Sequence, residues 1–298
     1  MSQIALDKSL RADDPALDSE RGDHTHEIAA DVAYQRIAIV NVAYVGRAGA
    51  ADGSWVLIDT GLPGMTHLIK NAAEARFGKN SRPAAIIMTH AHSDHAGSVE
   101  ALANEWQVPV FAHMLEHPYL NGTAAYPPPD KSVGGGLMPV LSGLFPRGPF
   151  NVGFYLKPLP ADSVPFMPGW RWVHTPGHSP GHISLWREAD RLLIVGDAFI
   201  TTNQESVYAA MVQKPELHGP PMYYTQDWVA SEASVKTLES LRPETVVTGH
   251  GRAMHGDQMR QALKLLATDF RQIAVPDHGK YVEHPTTAEA GTAYVVKH

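Results

Sequence analysis

Thr89-His90-Ala91-His92-Ser93-Asp94-His95-Ala96-Gly97 places three histidines and an aspartate within six consecutive positions. Before it stands Ala84-Ala85-Ile86-Ile87-Met88, an apolar run of strand length, and after it an apolar stretch from Val99 to Trp106 that suits a helix. A loop leaving a buried strand aims its side chains at one place. Neutral imidazole is a good ligand for zinc or iron. Two imidazoles two residues apart in an extended segment can converge on one ion, while the carboxylate and the third imidazole reach a neighbouring one. With 17 histidines in the chain some neighbours arise by chance, but a chance cluster rarely has this spacing after a strand.

Three further stretches repeat the pattern. Thr175-Pro176-Gly177-His178-Ser179-Pro180-Gly181-His182 follows the strand-like run Trp170 to His174, and its Pro and Gly turns present a histidine. His178 is the preferred ligand over His182. Leu192-Leu193-Ile194-Val195-Gly196 ends in Asp197, and Thr245-Val246-Val247-Thr248-Gly249 ends in His250. Taken singly, Asp197 reads as a turn or cap residue and His250 as a loop residue. Four strand ends carrying ligand-type side chains together imply one shared site.

The remaining pattern supplies a frame for that site. Tyr34 to Val40 and Trp55 to Ile58, the latter ending in Asp59-Thr60-Gly61, are the first strands. Met65, Leu68, Ile69 and Ala72 have helical spacing. A second series has strands at Trp170–His174, His182–Trp186, Leu192–Val195 and Thr245–Thr248, with a helix near Asp227 to Leu241. In the final helix Met259, Ala262, Leu263, Leu266, Phe270 and Ile273 trace one apolar face. Residues 1–24 are polar, acidic and aperiodic, which predicts a flexible arm, and residues 25–298 a single domain. At about 118–168 an insertion dense in Pro and Gly yet rich in aromatic residues reads as a lid or pocket wall.

Composition narrows the chemistry. With no cysteine, neither a disulfide nor a thiolate ligand is possible, so a metal must be held by nitrogen and oxygen. The formal net charge of −7 and the lack of a dense Lys/Arg run speak against nucleic acid or an anionic membrane as partner. No apolar run has the length of a signal peptide or a bilayer span. A cytoplasmic protein acting on a small molecule is expected, with a homodimer compatible with the arm and the apolar insertion.

The motifs T-H-A-H-S-D-H-A-G, T-P-G-H-S-P-G-H, G-D-A and T-G-H-G, in that order and preceded by I-D-T-G at Ile58 to Gly61, resemble the metallo-β-lactamase superfamily. The resemblance runs from about Tyr34 to Ile273. It implies an α/β fold, a four-layer αβ/βα sandwich of two mixed β-sheets with outer helices and metals at one edge. Carried over by position, His90, His92 and His178 would hold one metal and Asp94, His95 and His250 the second, with Asp197 bridging both. Asp59 matches a supporting acid that holds a loop or ligand imidazole by hydrogen bonding, and His182 is placed with it. The implied cofactors are two divalent ions, zinc first, with iron or manganese as alternatives.

Such a pair implies hydrolysis by a bridging hydroxide of an ester, lactone, thioester or related carbonyl bond, with Asp94 as the catalytic proton acceptor. The departures narrow the family's range. Lack of cysteine excludes a thiolate-bearing zinc β-lactamase. Ile200 stands where the similar lactonases carry a substrate-orienting tyrosine, for which Tyr208, Tyr223 or Tyr224 could substitute. Beyond Arg271 and Lys280 no basic counterpart of a glutathione site is evident. Tyr126, Phe199, Tyr208 and Tyr223 are candidate pocket residues. A mononuclear iron oxidoreductase of the persulfide dioxygenase type is the alternative, disfavoured by the complete second ligand set.

Overall fold

In the computed structural model, which describes residues 4–5, 20–134, 142–206 and 215–297, the apolar runs form two mixed β-sheets. The first sheet has its strands in chain order: β1 (His26–Ala29), β2 (Val32–Ile37), β3 (Val40–Val45), β4 (Val56–Ile58), β5 (Ala85–Ile87), β6 (Val110–Ala112) and β7 (Leu156–Pro158). Pairing is antiparallel from β1 to β4 and parallel from β4 to β7. The second contains β8 (Trp170–His174), β9 (Ile183–Arg187), β10 (Leu192–Gly196), β11 (Thr245–Thr248) and β12 (Met254–His255), antiparallel except for the parallel β10/β11 pair.

Successive side chains on a strand point to opposite faces, and here both faces are covered. Val56 and Ile58 share an inner core with Ile183, Leu185, Leu192, Ile194 and Val247 of the other sheet. Leu57 and Ile86 instead join Ile69, Ala72, Val99 and Leu102 in an outer core, under α1 (Thr66–Phe77) and α2 (Val99–Trp106). On the opposite side Leu193, Val195 and Val246 meet Val235, Leu238, Met259 and Leu263 of α3 (Trp228–Ser240) and α4 (Gly256–Thr268). This is the expected four-layer sandwich. Burial on both faces explains the continuous apolar strands, and each fully buried Leu, Ile or Val contributes about 1.5–3 kcal/mol. α3 begins where the Asp227 carboxylate accepts from the Val229 and Ala230 amides at 3.0 and 2.9 Å.

The two sheets are also joined by hydrogen bonds at one edge. The Ile183 amide donates to the Thr89 carbonyl at 2.9 Å. Asn41, at the start of β3, donates from its backbone to the Gly249 carbonyl at 2.8 Å and from Nδ2 to the Thr248 and Gly251 carbonyls at 2.9 and 2.6 Å.

Some boundaries differ from the sequence reading. Tyr34 to Val40 is not one strand: β2 ends at Ile37, β3 begins at Val40, and a two-residue hairpin turns at Ala38-Ile39 with Ala38 at φ 57°. Neither turn residue is the Gly, Asn or Asp such hairpins favour, so the local signal was missing. The final apolar face is split as well. α4 stops at Thr268, and the Asp269 carbonyl accepts from the Gln272 and Ile273 amides to start the separate turn Phe270–Ile273. Phe270 and Ile273 stay buried in the same outer core. The insertion contributes the edge strand β7 and the short strand Ala124–Ala125, which pairs with Val295–Val296. Of the N-terminal arm, Ile4–Ala5 pairs with Glu216–Leu217, while residues 6–19 lie outside the described residues. Among the described residues no helix is long and apolar enough to cross a membrane.

Gly97, which closes the histidine-rich loop, lies against the Leu62-Pro63 backbone; a Cβ there would stand 2.2 Å from the Pro63 nitrogen and 2.4 Å from the Leu62 carbonyl carbon. Backbone cannot give way as a side-chain tip can. Gly97→Ala is expected to cost at least about 1–3 kcal/mol. Gly22→Ala, whose Cβ would meet nothing within 4 Å, is expected to stay within about 0.5 kcal/mol of wild type. Denaturant unfolding of both variants checks this, and equal midpoints would refute it.

Candidate metal centre

Because β4, β5 and the β10/β11 pair run parallel to their neighbours, the loops leaving their C-terminal ends gather at the edge where the sheets are joined. Asp59 follows β4. His90 and His92 follow β5, and Asp94 and His95 sit on the one-turn helix Ser93–Ala96. His178 lies in the loop between β8 and β9, Asp197 directly after β10 and His250 just after β11. The ligand atoms of His90, His92 and His178 lie within 4.8 Å of one another, as do those of His90, His95 and Asp197 and those of Asp94, His95 and His250. Asp197 occupies the middle. Its Oδ1 is 3.4 Å from His95 Nε2, and its Oδ2 is 3.5 Å from His178 Nε2 and 3.1 Å from His250 Nε2. Asp94 Oδ2 stands 3.4 Å from His250 Nε2, and its side chain is 13% exposed.

Buried polar atoms are almost always hydrogen-bonded, yet His90 Nε2, His92 Nε2, His95 Nε2 and Asp197 Oδ1 have no hydrogen-bond partner. The far nitrogens of the rings are engaged. His95 Nδ1 is 2.8 Å from Asp59 Oδ2, His250 Nδ1 is 2.6 Å from the Ile39 carbonyl, and His90 Nδ1 is 3.1 Å from Thr89 Oγ1. Such contacts hold a proton on the outer nitrogen and turn the inner nitrogen toward the shared space. His92 is turned the other way, with Nδ1 2.9 Å from His178 Nε2. Unpaired nitrogen and carboxylate oxygen in one enclosed space, without sulfur, is a donor set that fits zinc, iron or manganese.

The electrostatics agree. Burial, reinforced by the neighbouring imidazoles, holds His90 and His178 well below the ordinary histidine pKa. Burial also outweighs Asp94 and Asp197 at His92 and lowers it to about 4. At His95 and His250 burial again opposes the charged form but loses to the carboxylates. Asp197 and Asp59 hold His95 well above its usual value, and Asp197 with Asp94 pushes His250 up to about 10. Burial works against the Asp197 anion too, but His250 and His95 hold its pKa well below the usual range. The site is an anion among imidazoles, three of them neutral.

The supporting residues have defined places. Asp59, at φ 59°, accepts from the Thr89 amide at 2.8 Å and the Thr89 hydroxyl at 2.7 Å as well as facing His95. His182 is not among the grouped ligand atoms: its Nε2 accepts from the Asp197 amide at 2.8 Å and its Nδ1 lies 2.8 Å from Thr175 Oγ1. Two of the candidate pocket residues prove to be core. Phe199 is wholly buried in the outer core of the second sheet. Tyr126 is buried with its hydroxyl on Glu116 and its ring 4.2 Å from His92. Tyr208 lies outside the described residues. Tyr223 does border a small cavity beside Asp94, together with Ile39, Phe145 and Tyr224, and Tyr224 stacks on His92 at 4.8 Å.

Glu116 was not legible as a site residue. It is wholly buried, and its carboxylate accepts from the Ala91 amide at 3.0 Å, the Gly181 amide at 2.8 Å, the Ser179 hydroxyl at 2.8 Å and the Tyr126 hydroxyl. Burial pushes its pKa above the usual carboxylate value, and these donors offset that only in part.

Residues 38–250 match the family model described as the metallo-beta-lactamase superfamily. The chain is 42% identical over 258 residues to "Probable metallo-hydrolase YflN" of Bacillus subtilis, covering 86% of this chain and 97% of that protein. To "Probable metallo-hydrolase YybB" of the same organism it is 29% identical over 201 residues, 67% and 77% of the two chains. Among solved structures, a β-lactamase domain protein from Burkholderia ambifaria superposes with a TM-score of 0.59 at 17% identity, over 90% of this chain and 81% of that one. A metallo-β-lactamase family protein from Thermus thermophilus gives 0.56 at 18% identity, over 83% and 81%. At such identities these two speak for the fold alone.

Asp59→Asn replaces an acceptor-only group with an amide whose nitrogen cannot accept, so the Thr89 amide, the Thr89 hydroxyl and the His95 ring cannot all be satisfied. Metal affinity is expected to fall about 10- to 100-fold, measured by competition with a chromophoric chelator. Unchanged affinity would remove Asp59 from the support of His95.

Proposed function

The chain belongs to the metallo-β-lactamase superfamily, and on that premise we propose that it is a hydrolase with a dinuclear metal centre acting on a small, fairly apolar ester, lactone or thioester. The observation that carries the reading is the position of Asp197, with one oxygen facing His95 and the other facing His178 and His250. A carboxylate so placed can serve two neighbouring cations. His90, His92 and His178 would hold one, and Asp94, His95 and His250 the other.

When bound, a pair of divalent cations lowers the pKa of water and polarises the oxygen under attack. The protein supplies the remainder. His182 holds the Asp197 backbone from behind. The Ile39 carbonyl and Asp59 fix the outer nitrogens of His250 and His95 and turn the inner nitrogens toward Asp197, where a bound cation would displace their protons. Asp94 is the one partly exposed acid of the set, and its Oδ2 can accept a proton from the attacking water and return it to the leaving group. Ile39, Phe145, Tyr223 and Tyr224 border the cavity beside it; apolar and aromatic walls exclude water and favour an uncharged substrate.

Metal analysis of the purified protein, followed by a panel of lactone, thioester, aryl ester, phosphodiester and β-lactam substrates, tests the reading. About two divalent ions per chain and turnover of a carbonyl substrate are expected. A single iron per chain with oxygen uptake on a persulfide would overturn it. Asp197→Asn is expected to lower metal occupancy and activity together, by at least about 10- to 100-fold in affinity; full activity with one ion would refute the bridging role.

A further inference from the structure

The three-imidazole group His90, His92 and His178 contains no carboxylate, and it is built from two separate loops, residues 89–97 and 175–182. One side chain touches both. Glu116 Oε2 accepts from the amide of Ala91, the residue between His90 and His92, and Oε1 accepts from the Ser179 hydroxyl and the Gly181 amide, on the far side of His178. The Tyr126 hydroxyl adds a fourth donor and packs its ring on His92. Backbone amides can only donate, so both oxygens act as acceptors, one toward each loop. Among the described residues no lysine or arginine forms an ion pair with Glu116.

Taking a carboxyl group out of water is costly unless its hydrogen bonds are met, and here both loops meet them. The geometry points to Glu116 as a positioning residue of the metal centre: its side chain ties the His90–His92 loop to the His178 loop, directly behind the three imidazoles. This inference rests on the metal reading proposed above.

Cobalt(II) added to the metal-free full-length chain provides the probe, with affinity read by chelator competition, ligand geometry by the visible spectrum and fold by metal-free thermal unfolding. Glu116→Gln is expected to bind cobalt about 10- to 100-fold more weakly and to shift the spectrum. Ser179→Ala, a milder change that keeps the charge, is expected to weaken binding by less than Glu116→Gln and keeps the test open should the glutamine variant not fold. If both variants lose only thermal stability, with wild-type cobalt affinity and spectrum, Glu116 is a packing residue and the inference falls. If the wild-type chain itself takes up no divalent cation, the metal reading falls first and Glu116's role with it.

Discussion

Hydrogen bonds running from one sheet to the other, at the edge where the ligand loops emerge, are the constraint on which the site depends. Each sheet has its own outer core with its own helices, and apolar contact in the shared inner core is non-directional. It does not by itself fix how far one sheet slides on the other. The bonds from Ile183 to Thr89 and from Asn41 to Thr248, Gly249 and Gly251 do. The ligands are divided between the halves, with His90, His92, Asp94 and His95 on the first and His178, Asp197 and His250 on the second. A shift of an ångström across that seam would part His95 and Asp197, which face each other at 3.4 Å.

The same edge concentrates polar groups that the interior otherwise avoids. Carboxylates and imidazoles removed from water are destabilising unless paired, and part of this set is paired within the protein: Asp59 with Thr89 and His95, His182 with Asp197, Glu116 with both loops. What remains unpaired is a small group of nitrogens and one carboxylate oxygen. The pairing is therefore selective. It satisfies the outward side of His90, His95 and His250 and leaves the inner nitrogens of His90 and His95 and one oxygen of Asp197 unpaired, a pattern expected of an ion site and not of a neglected core defect.

Much of this could be read from the chain because three of the four ligand loops directly follow a strand that is apolar on both faces. The run before His90 and the runs before Asp197 and His250 carry their own signal, and the Pro and Gly of residues 176–181 mark the fourth loop. The signal failed where structure depends on distant contacts. The turn at Ala38-Ile39 has no turn residue; its positive φ at Ala38 sets the Ile39 carbonyl against His250, more than two hundred residues away. Glu116 sits between two histidines in a short helical segment and looks like a surface acid. Its role appears only when Ala91, Tyr126, Ser179 and Gly181 are brought around it. Tyr126 and Phe199 misled in the opposite way, since an aromatic in a loop near a site reads equally well as wall or as core.

Division of the ligands between the two sheets also links occupancy to folding. A cation held at the seam would bind the docked pair of sheets and neither sheet alone, so its binding free energy adds to the cohesion of the sandwich in proportion to the logarithm of free metal over its dissociation constant. Each sheet has an outer core that contains none of the candidate ligands. Metal starvation would therefore loosen the junction of the halves before it melted either of them, and the molecule would sense metal supply through its own rigidity.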